Sequence, residues 1–219
     1  MIFENIEIRW LGHDGFEILT ENKVIYIDPF KIQEQDNKAD YLFITHEHFD
    51  HCSPEDIKKV IKPETIIIAP AECQSTLLRL KIKNLFIVEP EKKYKVNDLE
   101  FMTIPAYNIN KFRAPGIFYH PKDDDKVGYI INVGGKNILH CGDTDATKEI
   151  KTLKNIDIAM VPVSGKYVMT PEEAAEAVNS FKPKVAIPMH YNEIVGSVSD
   201  AEKFKNLARV PVEIIKKGG

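Results

Sequence analysis

Residues 45–51, Thr-His-Glu-His-Phe-Asp-His, place three histidines and an aspartate within six positions, and the rest of the chain is organised around this stretch. The apolar residues 41–44 before it predict a short buried strand. After it, Ser53 and Pro54 predict the start of a helix, and Asp56 completes a capping box with Ser53. The cluster therefore lies in a loop between a strand and a helix, where α/β proteins place their functional sites.

The side chains of this loop, which we call the motif loop, are of the types that bind metals. On a tight loop, the imidazoles of His46 and His48 can converge on one cation while Asp50 and His51 turn to a second. Neutral imidazole and carboxylate are the ligands expected for zinc, manganese or iron. A polar loop with chance histidines is the alternative, but such a cluster is costly unless a cation lies among its members. The stretch therefore predicts a metal site.

The pattern His-x-His-x-Asp-His after an apolar strand and a threonine resembles the metallo-β-lactamase superfamily of metal-dependent hydrolases. Three further residues stand in the order that this resemblance implies: Asp28 ends a predicted strand, Asp143 lies in a Gly-Asp-Thr sequence, and His190 follows another strand. The resemblance runs from about residue 10 to residue 191. Residues 10–13, Trp-Leu-Gly-His, and 28–30, Asp-Pro-Phe, resemble the branch with L-ascorbate-6-phosphate lactonase and the phospholipase D that releases N-acylethanolamines.

The resemblance implies a four-layer αββα sandwich of two mixed β-sheets with helices outside, forming one domain over residues 1–219. Periodicity alone supports only an α/β or α+β chain. Hairpins are predicted at 21–23 and at the Gly-Gly pair 134–135. Further predictions are helices at 72–80, 147–153, 170–181 and 200–208 (the last capped by Ser199), a final strand at 212–215, and a loop without clear period at 105–126.

The resemblance also implies a ligand set. His46 and His48 would hold the first metal, Asp50, His51 and His190 the second, and Asp143 would bridge the two, with Asp50 and Asp143 as the catalytic residues. Asp28 would orient a metal-bound imidazole through its far nitrogen, or else would cap the turn before Pro29.

The sequence departs from this pattern at Asn108, where relatives carry a histidine. Three explanations are open: Asn108 coordinates through its amide oxygen, His120 on the long loop replaces the histidine, or the first site is partly vacant. An amide oxygen is a weaker and harder donor than imidazole, so the first site is predicted to bind its metal less tightly. Tyr107 could instead point into the pocket as an acid or hydrogen-bond donor.

Three other residues are candidates for contact with a substrate. His13 would face the cleft in the lactonase-like branch, and a buried histidine bonded to backbone is the alternative. Lys111 and Arg113 could clamp a phosphate or carboxylate, and solvated loop charges are the alternative. The lactonase resemblance and the pair Lys111 and Arg113 favour a small anionic substrate.

Composition limits the class of function. The 219 residues carry 29 Lys plus Arg and 33 Asp plus Glu, a net charge of −4 that argues against a broad nucleic-acid-binding face. There is no signal-peptide pattern and no apolar run of membrane-spanning length, so a cytoplasmic protein is expected. Three scattered cysteines do not indicate disulfides. The sequence is compatible with a homo-oligomer.

The predicted activity is hydrolysis of a lactone, ester or phosphoester by a hydroxide held on one or two divalent ions, with zinc first and manganese or iron as alternatives. Two alternative functions are a metal-dependent phosphodiesterase or nuclease and a non-hydrolytic metal-binding protein.

Overall fold

The computed structural model describes residues 1–218. By its internal contacts the chain divides into two compact units, the first formed by Met1–Glu89 with residues 215–218 and the second by Pro90–Ile214. Each unit contains helices and one large mixed sheet. The predicted mixed α/β class with two mixed sheets is therefore confirmed, while the single domain stays a prediction. Within residues 1–218, no helix has the combined length and apolarity that crossing a bilayer requires.

The first unit is built on a seven-stranded sheet whose strands lie in chain order, from β1 to β7. The first four strands pair antiparallel and the last three join in parallel. Its elements are β1 (Ile2–Phe3), β2 (Ile6–Gly12), β3 (Gly15–Leu19), β4 (Val24–Ile27), β5 (Tyr41–Phe43), α1 (Pro54–Val60), β6 (Ile66–Pro70), α2 (Gln74–Leu78) and β7 (Asn84–Val88).

Local sequence explains these elements. The hairpin predicted at 21–23 is present, with Leu19 paired to Val24. Helix α1 begins as predicted, because the Ser53 side chain accepts a hydrogen bond from the backbone N–H of Asp56. Apolar side chains of β5, β6, α1 and α2 form a buried core that includes Leu42, Ile57, Val60, Ile67 and Leu77. Since β4 and β5 are parallel, Asp28 and the motif loop leave the sheet at the same edge.

The second unit is built on a six-stranded sheet in the order β15-β14-β13-β12-β9-β8. Strands β13, β14 and β15 are parallel, and the other neighbours are antiparallel. Its elements are β8 (Lys93–Val96), β9 (Leu99–Pro105), β10 (Phe112–Ala114), β11 (Ile117–Phe118), β12 (Val127–Val133), β13 (Lys136–His140), α3 (Lys148–Lys151), β14 (Ile158–Pro162), α4 (Pro171–Phe181), β15 (Val185–Met189) and α5 (Val198–Leu207).

The parallel strands of this sheet position the chemistry of the second unit. Strands β14 and β15 are buried at every position, so both faces are covered. The hairpin predicted at the Gly-Gly pair is present, with Val133 paired to Lys136. The carboxyl ends of β13 and β15 meet at one edge, and the segments with Asp143 and His190 leave the sheet there.

Several predicted boundaries are corrected. The helix predicted at 72–80 is a 3-10 turn, Ala71–Cys73, followed by the short α2, and the strand at 212–215 is reduced to a bridge between Ala186 and Val212. The loop at 105–126 contains the β10–β11 hairpin. Helix α5 begins two residues early: the carboxylate of Asp200 accepts from the backbone N–H of Ser197, which takes the capping role predicted for Ser199. Local propensity locates such elements but does not fix their ends.

The end of the described chain returns to the first unit. The backbone N–H of Gly218 donates to the carbonyl of Trp10 over 2.9 Å. The indole N–H of Trp10 in turn donates to the carbonyl of His13 over 2.9 Å. These bonds tie the last residues to the turn that follows β2.

Replacing Gly128 with alanine is expected to destabilise the protein by about 1–3 kcal/mol, the usual cost of overpacking. A Cβ at this position on β12 would lie 2.7 Å from the carbonyl oxygen of His140 and 2.6 Å from that of Cys141, so backbone must move. Urea unfolding measures the loss. Asn132→Ala, at an exposed position of the same strand, is the control. Equal losses in both variants would contradict the close approach.

Candidate metal centre

The motif loop is anchored in the first unit by the buried carboxylate of Asp28. Its Oδ1 accepts from the backbone N–H of Thr45 over 2.9 Å, and its Oδ2 accepts from the Thr45 hydroxyl over 2.5 Å. The same Oδ2 lies 2.8 Å from Nδ1 of His51. With the Nδ1 proton directed at Asp28, the Nε2 lone pair of His51 is left to bind a cation. Asp28 has the left-handed φ of 42°, a strained value that the loop contacts hold in place.

His46 and His48 present their nitrogens to each other. His46 Nε2 lies 3.0 Å from His48 Nδ1, and their ring centroids are 4.5 Å apart. The other nitrogen of His46 lies 3.0 Å from the Thr45 hydroxyl. Two imidazole nitrogens this close can share a proton or a cation, which is the convergence expected from the sequence.

The turn after β2 brings a further histidine and aspartate to the motif loop. His13, with a φ of 53°, is fully buried, and its Nε2 lies 3.0 Å from Asp50 Oδ2. Asp14 is equally buried, and its Oδ2 lies 3.6 Å from the Nε2 of both His13 and His51. Asp14 is not among the ligands predicted from the sequence, because an aspartate followed by a glycine is typical of a turn. Its one signal was its place directly after His13.

In the second unit, Asp143 lies between two histidines. Its Oδ2 is 3.3 Å from the Nε2 of His190 and 3.3 Å from the Nε2 of His120. All three residues are buried. The other ring nitrogen of His190, Nδ1, lies 2.9 Å from the Ser164 hydroxyl, so that end of the ring is held by a hydrogen bond. His190 also has a left-handed φ, 58°.

The amide of Asn108 is engaged by the segment that carries His120. Its Oδ1 accepts from the backbone N–H of His120 over 2.9 Å and lies 3.1 Å from His120 Nδ1, and its Nδ2 donates to the Tyr167 carbonyl over 2.7 Å. Asn108 thus holds His120 with its Nε2 directed at Asp143. The arrangement brings His120 to Asp143, and the replacement of the usual histidine by His120 stays a prediction.

The other predicted substrate contacts are bonded elsewhere in the second unit. The Tyr107 hydroxyl donates to Glu149 over 2.9 Å, and burial together with this carboxylate raises the tyrosine's pKa. Lys111 lies 2.7 Å from Glu173 and 3.3 Å from Asp145, which balances its charge. Arg113 lies at an exposed position of β10. Their roles towards a substrate stay predictions.

The donor atoms fit a divalent cation. Ligands about 2.1 Å from a tetrahedral zinc ion are ~3.4 Å apart. The two distances of 3.3 Å at Asp143 agree with that spacing, and those of 3.6 Å at Asp14 are close to it and too long for hydrogen bonds. In the first unit, donor atoms of His13, Asp50 and His51 lie within 4.8 Å of one another. Imidazole and carboxylate at these spacings suit zinc, manganese or iron.

Comparison with known proteins identifies the family. A model of the β-lactamase superfamily domain matches residues 7–190. A UPF0173 metal-dependent hydrolase of Thermoplasma acidophilum is 31% identical over 94% of this chain and 92% of its own. Another, of Staphylothermus marinus, is 32% identical over 95% of this chain and 94% of its own. The chain therefore belongs to the metallo-β-lactamase superfamily, in the UPF0173 family of metal-dependent hydrolases.

Solved structures agree with this assignment. A Parabacteroides distasonis protein assigned as a metal-dependent hydrolase shares 31% identity and a TM-score of 0.83, covering 95% of this chain and 92% of its own. A metallo hydrolase of Ignicoccus hospitalis shares the fold, with a TM-score of 0.76 at 23% identity over 98% of this chain and 96% of its own. The chain is thus an enzyme of the hydrolase class with candidate His and Asp metal ligands.

Proposed function

We propose that the enzyme hydrolyses a small anionic ester or lactone with one or two divalent cations, zinc first and manganese or iron as alternatives. The observation that carries this proposal is Asp143, a buried carboxylate with one oxygen 3.3 Å from two imidazole nitrogens. Such contacts are expected of a carboxylate that is shared by two cations. When bound, such cations acidify a coordinated water towards a pKa of about 7 and polarise an oxygen of the substrate.

The proposed ligands follow the resemblance, with one exchange. His46, His48 and His120 serve the first cation, Asp50, His51 and His190 serve the second, and Asp143 serves both. His120 takes the place that relatives give to a histidine at position 108. Three of these rings are oriented by a contact to Nδ1, the nitrogen that is not proposed to bind the cation. Asp28 contacts His51, Asn108 contacts His120 and Ser164 contacts His190. Such contacts fix the tautomer and orientation of a ligand.

The anionic substrate is supported by Lys166. Its ammonium group lies 5.1 Å from the centroid of the Tyr167 ring, and that ring meets the His190 ring edge-on with centroids 6.5 Å apart. Unlike Lys111, it forms no ion pair with a carboxylate of the described chain. A cation so placed near His190 can attract a phosphate or carboxylate on the substrate. This agrees with the resemblance to the lactonase-like branch.

Replacing Lys166 with alanine should raise KM for anionic substrates about 10-fold, equivalent to roughly 1.4 kcal/mol. KM for neutral esters should change little, because only the charged group loses a partner. Steady-state kinetics on matched anionic and neutral esters measure the difference. Lys154→Ala, another exposed lysine of the second unit, is the control. Equal changes with both substrate types would remove Lys166 from substrate binding.

The proposed function is tested with protein stripped of metal and reloaded with zinc, manganese or iron. Each form is assayed on lactones, carboxylic esters, p-nitrophenyl phosphodiesters and single-stranded RNA. Turnover of small lactones or esters that depends on the added metal supports the proposal. Turnover of RNA or phosphodiesters alone would favour a nuclease, and tight metal binding without turnover would favour a non-hydrolytic metal-binding protein.

A further inference from the structure

We propose that Tyr167 determines which substrates the enzyme accepts, because its ring and the ring of Tyr119 form an aromatic wall that contacts an apolar group of the substrate. The inference deepens the proposed function and rests on it in one respect, that the substrate binds beside His190. It adds a second chemical feature to the substrate class, an aryl or acyl group carried next to the anionic group.

The ring of Tyr167 lies beside a proposed metal ligand. It meets the His190 ring edge-on, with centroids 6.5 Å apart, and it meets the Tyr119 ring edge-on, with centroids 4.7 Å apart. Edge-to-face contacts at such distances are favourable and hold aromatic rings in a defined orientation. Tyr167 and Tyr119 are both half-buried, so part of each side chain stays accessible. An apolar group bound beside His190 can therefore pack against the aromatic wall.

The backbone at Tyr167 is strained. Its φ is 104°, a value that is uncommon for any residue other than glycine and a genuine outlier for a bulky one. Strain of this kind persists only where the surrounding structure imposes it, and it clusters at functional sites. A glycine would adopt this conformation at no steric cost. The presence of a tyrosine instead indicates that its side chain has a use at this place.

Backbone contacts of the same loop impose this conformation. The carbonyl of Tyr167 accepts from Nδ2 of Asn108 over 2.7 Å and lies 3.3 Å from Nδ1 of His120. Two residues later, the backbone N–H of Met169 donates to the carbonyl of Thr144 over 3.1 Å. The loop is thus fixed to the segments that carry the proposed ligands of the second unit. Contact groups that are held so firmly can discriminate between substrates of similar shape.

Apolar surface and positive charge both adjoin the aromatic wall. Ile117, which is 45% exposed, precedes Tyr119 by two residues, and the N–H of Tyr119 continues the strand pairing by donating to the carbonyl of Lys111 over 3.2 Å. Residues two apart on a strand point to the same side, so Ile117 extends the wall. The exposed Lys166 places its ammonium group 5.1 Å from the centroid of the Tyr167 ring. A substrate with both an apolar group and an anion matches this surface, whereas an anion alone leaves the wall unoccupied.

The test compares two anions that cannot be hydrolysed and that differ only in a methyl or a phenyl group, methylphosphonate and phenylphosphonate. Calorimetry measures the Kd of each for the full chain loaded with zinc. The unmodified protein should bind phenylphosphonate at least ~10-fold more tightly, since even one methylene in an apolar site is worth about that factor. Tyr167→Ala should lose most of this preference with little change in the Kd of methylphosphonate, and Tyr167→Phe should keep it.

Tyr94→Ala is the matched control, because Tyr94 is a half-buried tyrosine of the same unit that stacks on Phe101 with ring centroids 5.4 Å apart. It should leave the preference unchanged. Metal analysis and thermal unfolding check that each variant keeps its metal and its fold. If Tyr167→Phe loses the preference as fully as Tyr167→Ala does, the hydroxyl rather than the ring makes the contact, and the inference is overturned.

Two other results would also overturn it. Weaker binding of both phosphonates by Tyr167→Ala, together with loss of metal, would show that the ring only supports the metal ligands. An unchanged preference in Tyr167→Ala with a change in its sedimentation would show that the aromatic wall is an interface between two copies of the chain. Metal-dependent turnover by the unmodified protein tests the proposed function separately. If that turnover is present but both phosphonates bind equally, the proposed function stands and the inference fails.

Discussion

Asp143→Asn is expected to lower turnover by at least ~10³-fold and to reduce the bound metal, with little change in folding. One carboxylate oxygen of Asp143 lies 3.3 Å from both His120 and His190, and these two histidines belong to different proposed ligand sets. Loss of a group that hydrogen-bonds to a metal ligand commonly lowers metal affinity or activity by about 10–100-fold. Loss of a ligand shared by two cations should lower them more. The neutral amide also removes the negative charge that offsets two cations.

Metal analysis and turnover on the best substrate of the panel measure this effect. The matched control is Asp157→Asn, a carboxylate of the same unit that accepts from the backbone N–H of Asn137 and pairs with Lys184. Burial raises the pKa of Asp157, but these bonds outweigh burial and hold that pKa below its usual range. The control should therefore lose stability at neutral pH and keep its metal. Full metal content and full turnover in Asp143→Asn would refute the ligand assignment.

His120→Ala is expected to weaken the first metal at least ~100-fold, and Asn108→Ala about 10-fold. The larger effect falls on the residue whose nitrogen faces Asp143, and the smaller on the amide that holds it. Asn108→Asp should retain more affinity than Asn108→Ala, since its carboxylate can still accept from the His120 ring and backbone.

Competition with a chelator measures each affinity, and circular dichroism checks the fold. Ser180→Ala, at a helix position whose hydroxyl bonds only to the backbone of its own turn, is the control. If Asn108→Ala loses more metal than His120→Ala, the amide is itself the ligand. The expectation that the first site is weaker than the second would then stand, since it was based on an amide donor.

The sequence predicts those features of the protein that depend on neighbouring residues better than those that depend on distant ones. The motif loop, Asp143 and His190 follow apolar strands, so strand order alone brings His190 to Asp143. Helix caps such as Ser53, whose side chain accepts from the backbone N–H of Asp56, are local and were predicted correctly. The contact of Asn108 with His120 was beyond reach, because it depends on how the long loop folds back over 12 residues.

Asp14 and Lys111 are two residues whose contacts the sequence does not predict: one lies closer to the candidate site than expected, and the other is paired where a free charge was expected. Asp14 looked like a turn residue, and only the three-dimensional path of the Gly-rich turn puts it beside His51. Lys111 looked available to a substrate, but its partner Glu173 lies 62 residues further along the chain. Charge pairing over such separations has no local pattern in a single sequence. The chemistry of a motif is therefore easier to predict than the partners of an isolated charged residue.

The bond between Gly218 and Trp10 has a consequence for the order in which the protein folds. The two residues are 208 positions apart, so the first unit is completed only once residues 215–218 have been synthesised. Closing so long a segment is entropically costly and tends to be slow. During synthesis, strand β2 and the turn bearing His13 and Asp14 therefore exist for a time without this clamp. We expect a nascent chain that lacks residues 215–218 to be more sensitive to proteases at that turn than the chain that contains them.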